Sequence, residues 1–138
     1  SRLSGPLLDR VDIQIDVGPV QVSGLARDAG RETSATVAAR VAAARLRARR
    51  RLAGTPWSLN AEVPGSWLRS PEGGVPQEVL NRLLRVMEKG VLTLRGVDRV
   101  LRLAWTLTDL AGREMPTLAD LGGALALRTR GGSHERAA

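Results

Sequence analysis

Val11, Ile13, Ile15 and Val17 alternate with Asp12, Gln14 and Asp16. A period of two marks a half-buried strand, and Gly18-Pro19 supplies its stop. Ahead of it, Gly5-Pro6 breaks the chain before a Leu7-Leu8-Asp9-Arg10 step. No later segment repeats the alternation, so the predicted strand has no partner in this chain. After a Gly- and charge-rich connector the pattern becomes helical. "SATVAARVAAARLRARRRLAG" predicts a long helix with Ser34 as N-cap, Val37, Val41, Ala44 and Leu52 near one face, and Gly54 closing it. Residues 54–75 are punctuated by proline and glycine. There the pattern predicts one short helix near 64–69, with Trp57 or Trp67 pinning the segment to the core.

Three further helices follow. "PQEVLNRLLRVMEKG" has a stripe of Val79, Leu80, Leu83, Leu84 and Met87, with Gly90 at its end. "TLRGVDRVLRLAWTLTDLAG" has Thr93 as N-cap and Gly112 as stop, and its apolar face comprises Val97, Val100, Leu101, Ala104, Leu107 and Leu110. "TLADLGGALALRTR" is capped by Thr117 and loosened or brought close to a neighbour by Gly122-Gly123. The predicted fold is all-α: a four- to five-helix bundle preceded by one orphan N-terminal strand. The tail over residues 131–138 is expected to be disordered.

Composition narrows the chemistry. The 138 residues suffice for one compact domain, and with three Trp and no Phe or Tyr its core must be aliphatic. The chain has no cysteine, which excludes disulfides and thiolate metal sites. It has no apolar run near the roughly 20 residues of a membrane span. It shows no signal-peptide pattern either, so a soluble, cytoplasmic protein with no membrane partner is expected. The one histidine, His134, sits in the tail, which argues against a Ser-His-Asp arrangement or a histidine metal site; no metal site is expected. No GxxxxGK[ST] sequence is present, so the chain cannot cradle a triphosphate by itself and is not expected to be an enzyme alone.

The net charge is +7, and all but one of the 21 basic residues are arginine, Lys89 being the exception. Arginine used so exclusively, beside abundant Ala, Gly, Leu and Val, also suits a GC-rich coding bias. Three sets of arginines still carry a functional reading. Arg95, Arg99 and Arg102 share one helix face. Arg95 falls in the first turn, where a cation opposes the helix dipole and an anion would reverse that cost. A solvated face with Asp98 pairing to Arg102 is the alternative. Arg10 projects from the edge of a predicted strand, or else pairs with Asp9 or Asp12. In the run Arg45, Arg47, Arg49, Arg50, Arg51, the residues Arg45, Arg49 and Arg50 are candidates for DNA phosphates, against an ordinary solvated helix end.

Taken together, "SGPLLDRVDIQIDV", "GRETSATVAARVAAAR", "LNAEVPGSWLR" and "LTLRGVDRVLRLAWTLTDLAG" resemble the C-terminal region of the magnesium-chelatase-like AAA+ ATPases of the ComM/YifB type, from Ser4 to about Arg130. The resemblance implies a division of the chain. Residues 1–20 would end the AAA+ core, including its last strand, 21–33 would be a connector, and 34–130 the helical lid. It implies Arg10 as an arginine finger acting in trans on the next subunit's nucleotide, and Arg95 as the sensor-2 arginine, in cis or in trans. Arg99 is a second nucleotide-binding candidate. For the longer protein it implies ATP and Mg²⁺, a homo-oligomeric ring, and DNA branch migration by ComM-type members. Magnesium insertion into a porphyrin is implied only by the family's name and its more distant cousins. The chain alone is expected to be monomeric and to bind no cofactor. A small basic DNA-binding module and a plain oligomerisation module are the alternatives.

Overall fold

The computed structural model describes residues 4–19 and 30–129, all-helical among those residues. Most of the predicted connector, the tail and His134 lie outside them. Six α-helices follow in order: α1 (Gly5–Leu8), α2 (Ser34–Arg51), α3 (Gly65–Leu68), α4 (Gln77–Glu88), α5 (Leu94–Ala111) and α6 (Leu118–Thr129), with 3₁₀ turns at Asn60–Glu62 and Pro71–Gly73.

Helix α5 is the axis of the bundle: α2, α3, α4 and α6 all pack on it. Its composition explains this, because Val97, Val100, Leu101, Ala104 and Trp105 recur at helical spacing and are almost wholly buried. They meet Leu52, Val63, Leu68, Val79, Leu83 and Leu121 in one core. Thr93 caps α5, its hydroxyl accepting the Gly96 N–H at 3.1 Å. Gly112, at φ 73°, ends it in the left-handed conformation that the sequence anticipates. Trp57 and Trp67 both pack against the core, as an edge-to-face pair with centroids 5.5 Å apart.

Several expectations are corrected. No strand forms among the described residues. Residues 13–19 have no regular structure, and Ile13, Ile15 and Val17 are 48%, 65% and 87% exposed. A strand is stabilised by its ladder, and no second strand is present among the described residues to complete one, so the expected strand is not seen there. The N-cap of α2 is Thr33, whose hydroxyl accepts the Thr36 N–H, not Ser34. That helix stops at Arg51, with Gly54 taking the expected left-handed conformation, φ 84°, in the turn that follows. It touches the bundle through Ala44, Ala48 and Leu52, while Val37 and Val41 stay exposed. Val41 and Leu110 line one cleft, so α5 ends where the first turns of α2 would need support. Leu84 and Leu110, placed on buried faces by periodicity, are also exposed.

The segment over residues 52–76 packs closely on itself at Gly73. A Cβ on Gly73 would lie 2.5 Å from Leu68 O and 2.6 Å from Trp67 O, both backbone atoms that cannot step aside. Gly73→Ala is therefore expected to cost about 3 kcal/mol by overpacking, read as a lowered Tm with the helical circular dichroism retained below it.

Thr117 caps α6 reciprocally with Asp120. The Asp120 N–H donates to Thr117 Oγ1 at 3.2 Å and the Thr117 N–H donates to Asp120 Oδ2 at 2.9 Å. Arg113 pairs with the other carboxylate oxygen, and the Thr108 hydroxyl lies 3.1 Å from Oδ2. Burial pushes this carboxyl up, but the bonds from Thr117, Arg113 and Thr108 outweigh it and hold Asp120 below the ordinary value of 3.8. A depressed folded pKa stabilises above the unfolded value and loses that contribution as pH falls through the folded one. Asp120→Ala is accordingly expected to cost about 1–3 kcal/mol at pH 7. Urea midpoints of variant and wild type should converge as the pH is lowered from 4 towards about 2.

Candidate functional site

Arg10 sits in a turn directly after α1, with its N–H bonded to Leu7 O at 3.1 Å. Its side chain is exposed and makes no ion pair with Asp9 or Asp12. Those carboxylates go elsewhere: Asp9 pairs with Arg128 at 2.9 Å, and Asp12 pairs with Arg99. Arg99 also donates to the backbone carbonyl of Arg10 at 2.9 Å. Arg128 donates to the carbonyls of Val11 at 3.1 Å and Asp9 at 3.3 Å. The turn carrying Arg10 is thus seated against α5 and the end of α6.

Arg95 is exposed in the first turn of α5, with no acidic residue beside it in that turn. Thr93 takes the Gly96 N–H, which leaves Leu94 and Arg95 with amide groups that have no intrahelical acceptor. Arg95 precedes Arg99 by one helical turn, roughly 6 Å along the axis, on the face against which the Arg10 turn sits. The structure thus seats the backbone of the Arg10 turn on Arg99, and the Arg10 and Arg95 side chains are exposed without an ion pair among the described residues.

The third arginine of that face is structural. Arg102 Nε donates to Val63 O at 2.9 Å, and Asp98, expected to pair with it, instead pairs with Arg69. The run at the end of α2 divides by helical phase. Arg47 turns inward to donate to Asp109 O at 2.7 Å, and Arg51 bonds Asp109 Oδ2 at 2.7 Å and Asn60 Oδ1 at 2.8 Å. Arg45, Arg49 and Arg50 are exposed and make no ion pair among the described residues, Arg45 at the edge of the cleft between α2 and α5 and Arg50 beside Arg47 and Arg51. Among the described residues no group of three His, Asp or Glu side chains could hold a metal ion, and no helix is long and apolar enough to cross a membrane.

A family profile described as magnesium chelatase, subunit ChlI C-terminal, matches residues 31–128. The chain belongs to this family. Similar proteins include the uncharacterised protein Mb2921c of Mycobacterium bovis, 40% identical over 130 residues that make up 94% of this chain and 25% of the relative. The uncharacterised proteins MT2965 and Rv2897c of Mycobacterium tuberculosis match to the same extent. The chain thus spans about a quarter of the length of these curated relatives. No solved structure matches it significantly.

Within this magnesium chelatase C-terminal domain, two features escaped the sequence reading. One is Arg128, whose side chain is only 9% exposed. The other is the buried Asp109, held by Arg51 while the Arg51 guanidinium stacks 3.8 Å above the Trp105 ring. Asp109 follows Trp105 by one helical turn, so an acid on the core side of α5 was the available signal. Arg128 had none, because its partners are mostly backbone carbonyls.

Proposed function

We propose that the chain is the helical lid of a ComM/YifB-type AAA+ ATPase ring that hydrolyses ATP with Mg²⁺ and works on DNA as a branch-migration motor. The observation that carries this reading is that the Arg10 backbone is seated on Arg99, one helical turn from Arg95, while Arg10 and Arg95 are both exposed and carry no ion pair among the described residues. Arg10 is the arginine finger, directed to the nucleotide of a neighbouring subunit; Arg95 reads the γ-phosphate. Charge accumulates on the γ-phosphoryl oxygens during transfer, and a fixed guanidinium stabilises it. Arginine suits this task because its charge is permanent and its donors form a rigid fork. Arg99, the other nucleotide candidate, has its guanidinium engaged by Asp12 and the Arg10 carbonyl, so it acts on the segment and not on phosphate. The nucleotide-binding core belongs to the longer protein, and residues 11–17, with their uncovered alternate face, add to its sheet.

The test is hydrolysis by the longer protein with Arg10→Ala and with Arg95→Ala. Each substitution is expected to reduce kcat; unchanged turnover in both would remove the basis of the assignment.

The exposed trio Arg45, Arg49 and Arg50 supports DNA contact by the same domain, as a separate reading. Neutralising about three phosphates predicts a slope near −3 in log K against log salt for duplex DNA. Filter binding across a salt series checks it, and the triple alanine variant should abolish the slope.

A further inference from the structure

The segment bearing Arg10 has no fully buried apolar side chain, although Leu8 and Val11 on either side of Arg10 are half-buried. Leu7 is 47% exposed, and Ile13, Ile15 and Val17 are exposed as well. It is held by two guanidinium groups that together take three consecutive backbone carbonyls. Arg128, from the last turn of α6, donates to Asp9 O and Val11 O and to the Asp9 carboxylate. Arg99, from α5, donates to Arg10 O between them and to the Asp12 carboxylate. The Gln14 N–H adds a bond to Leu127 O at 2.8 Å. The backbone on both sides of Arg10 is therefore fixed to the helical domain, while the Arg10 side chain remains free.

We infer that Arg128, together with Arg99, is a positioning residue that locks the Arg10 turn to the helical domain, so that Arg10 and Arg95 move as one body. This rests on the function proposed above for those two arginines. A shift of the lid at one nucleotide then displaces the arginine aimed at another. Guanidinium groups suit this role because each presents several donors in one rigid plane and can hold adjacent carbonyls at once. Lysine offers the charge without the fork.

Because the chain has no cysteine, Arg10→Cys gives a single attachment point for a nitroxide and leaves the backbone carbonyl that Arg99 grips. In the otherwise unchanged protein, the label is expected to broaden amide resonances in the first half of α5 and the last turn of α6. Arg128→Gln combined with Arg99→Gln should abolish that broadening, and Arg128→Lys with Arg99 intact should restore it only partly. Asp9→Ala with Asp12→Ala loosens the same contacts from the segment's side, where the bundle cannot be unfolded by it, and should reduce the broadening too. Broadening that survives the Asp9, Asp12 pair and the Arg128, Arg99 pair alike overturns the lock.

The ATPase arm separates this from the functional reading. In the longer protein, Arg128→Gln is expected to lower kcat in the same direction as Arg10→Ala while KM for ATP is kept. If Arg10→Ala abolishes turnover and Arg128→Gln leaves kcat intact, the positioning role fails although the finger stands. If Arg10→Ala leaves turnover intact, the finger fails, and the spin-label result alone decides the lock.

Discussion

Under the proposed function, Arg10→Ala is expected to slow ATP turnover by the longer protein's ring by about 10³–10⁵, the range over which arginine fingers act. The loss should fall on kcat, because a finger contributes to the transition state and little to ground-state binding. Direction can be tested by mixing subunits. One variant lacks Arg10; the other lacks the phosphate-binding lysine of the nucleotide core. Each alone forms a ring without turnover. If Arg10 acts in trans, a mixed ring contains interfaces that pair an intact phosphate site with an intact Arg10, and activity returns with a maximum near equal proportions. If Arg10 acts within its own subunit, no mixture contains a complete site, and activity stays absent at every ratio. Arg10→Lys should recover little, since a point charge on a flexible stem does not reproduce the planar fork.

The helical part of this architecture was legible because its determinants are local. Helix α5 declared itself through Thr93, Gly112 and an apolar stripe with a period near 3.6, and all three are found in place. Helix α6 likewise begins after Thr117. What the sequence misplaced depends on neighbours. Periodicity assigned Val37 and Val41 to a buried face, but burial needs a facing element, and α5 ends at Ala111, beside the Val41 end of the cleft. The alternation over residues 11–17 predicts a strand, yet strand formation depends on a partner that the described residues do not provide. At the candidate site the exposed arginines were legible by residue type and phase. The groups that position them were not. Arg128 donates mostly to backbone carbonyls, which carry no side-chain signature, and the partners of Arg99, Arg10 O and Asp12, lie far away in sequence.

The largest stability effect is expected at Asp109. Its side chain is 5% exposed and that of Arg51 17%, and they meet at 2.7 Å. Asn60 Nδ2 donates to the same carboxylate oxygen at 2.9 Å, so Asp109 joins the end of α2 and the 3₁₀ turn at Asn60–Glu62 to α5. Asp109→Ala leaves the Arg51 guanidinium between the Trp105 ring and Asn60 with no counter-charge. Breaking one partner of a buried pair in this way costs about 3–5 kcal/mol, a large share of the roughly 5–15 kcal/mol that holds a domain together. Arg51 Nε and Trp105 Nε1 are already buried without an acceptor, so no spare partner is at hand among the described residues. Urea unfolding followed by tryptophan fluorescence measures the loss. Removing both charges should hurt less than removing one: Arg51→Met with Asp109→Leu is expected to recover most of the stability, because the penalty comes from the stranded cation and not from lost attraction. An Asp109→Ala loss below about 1 kcal/mol would instead mean that water screens the pair as at an exposed site. Arg95 lies roughly 20 Å along the α5 axis from Asp109. Any folded fraction of the variant should therefore keep its arginine end intact, and turnover per folded ring should match wild type.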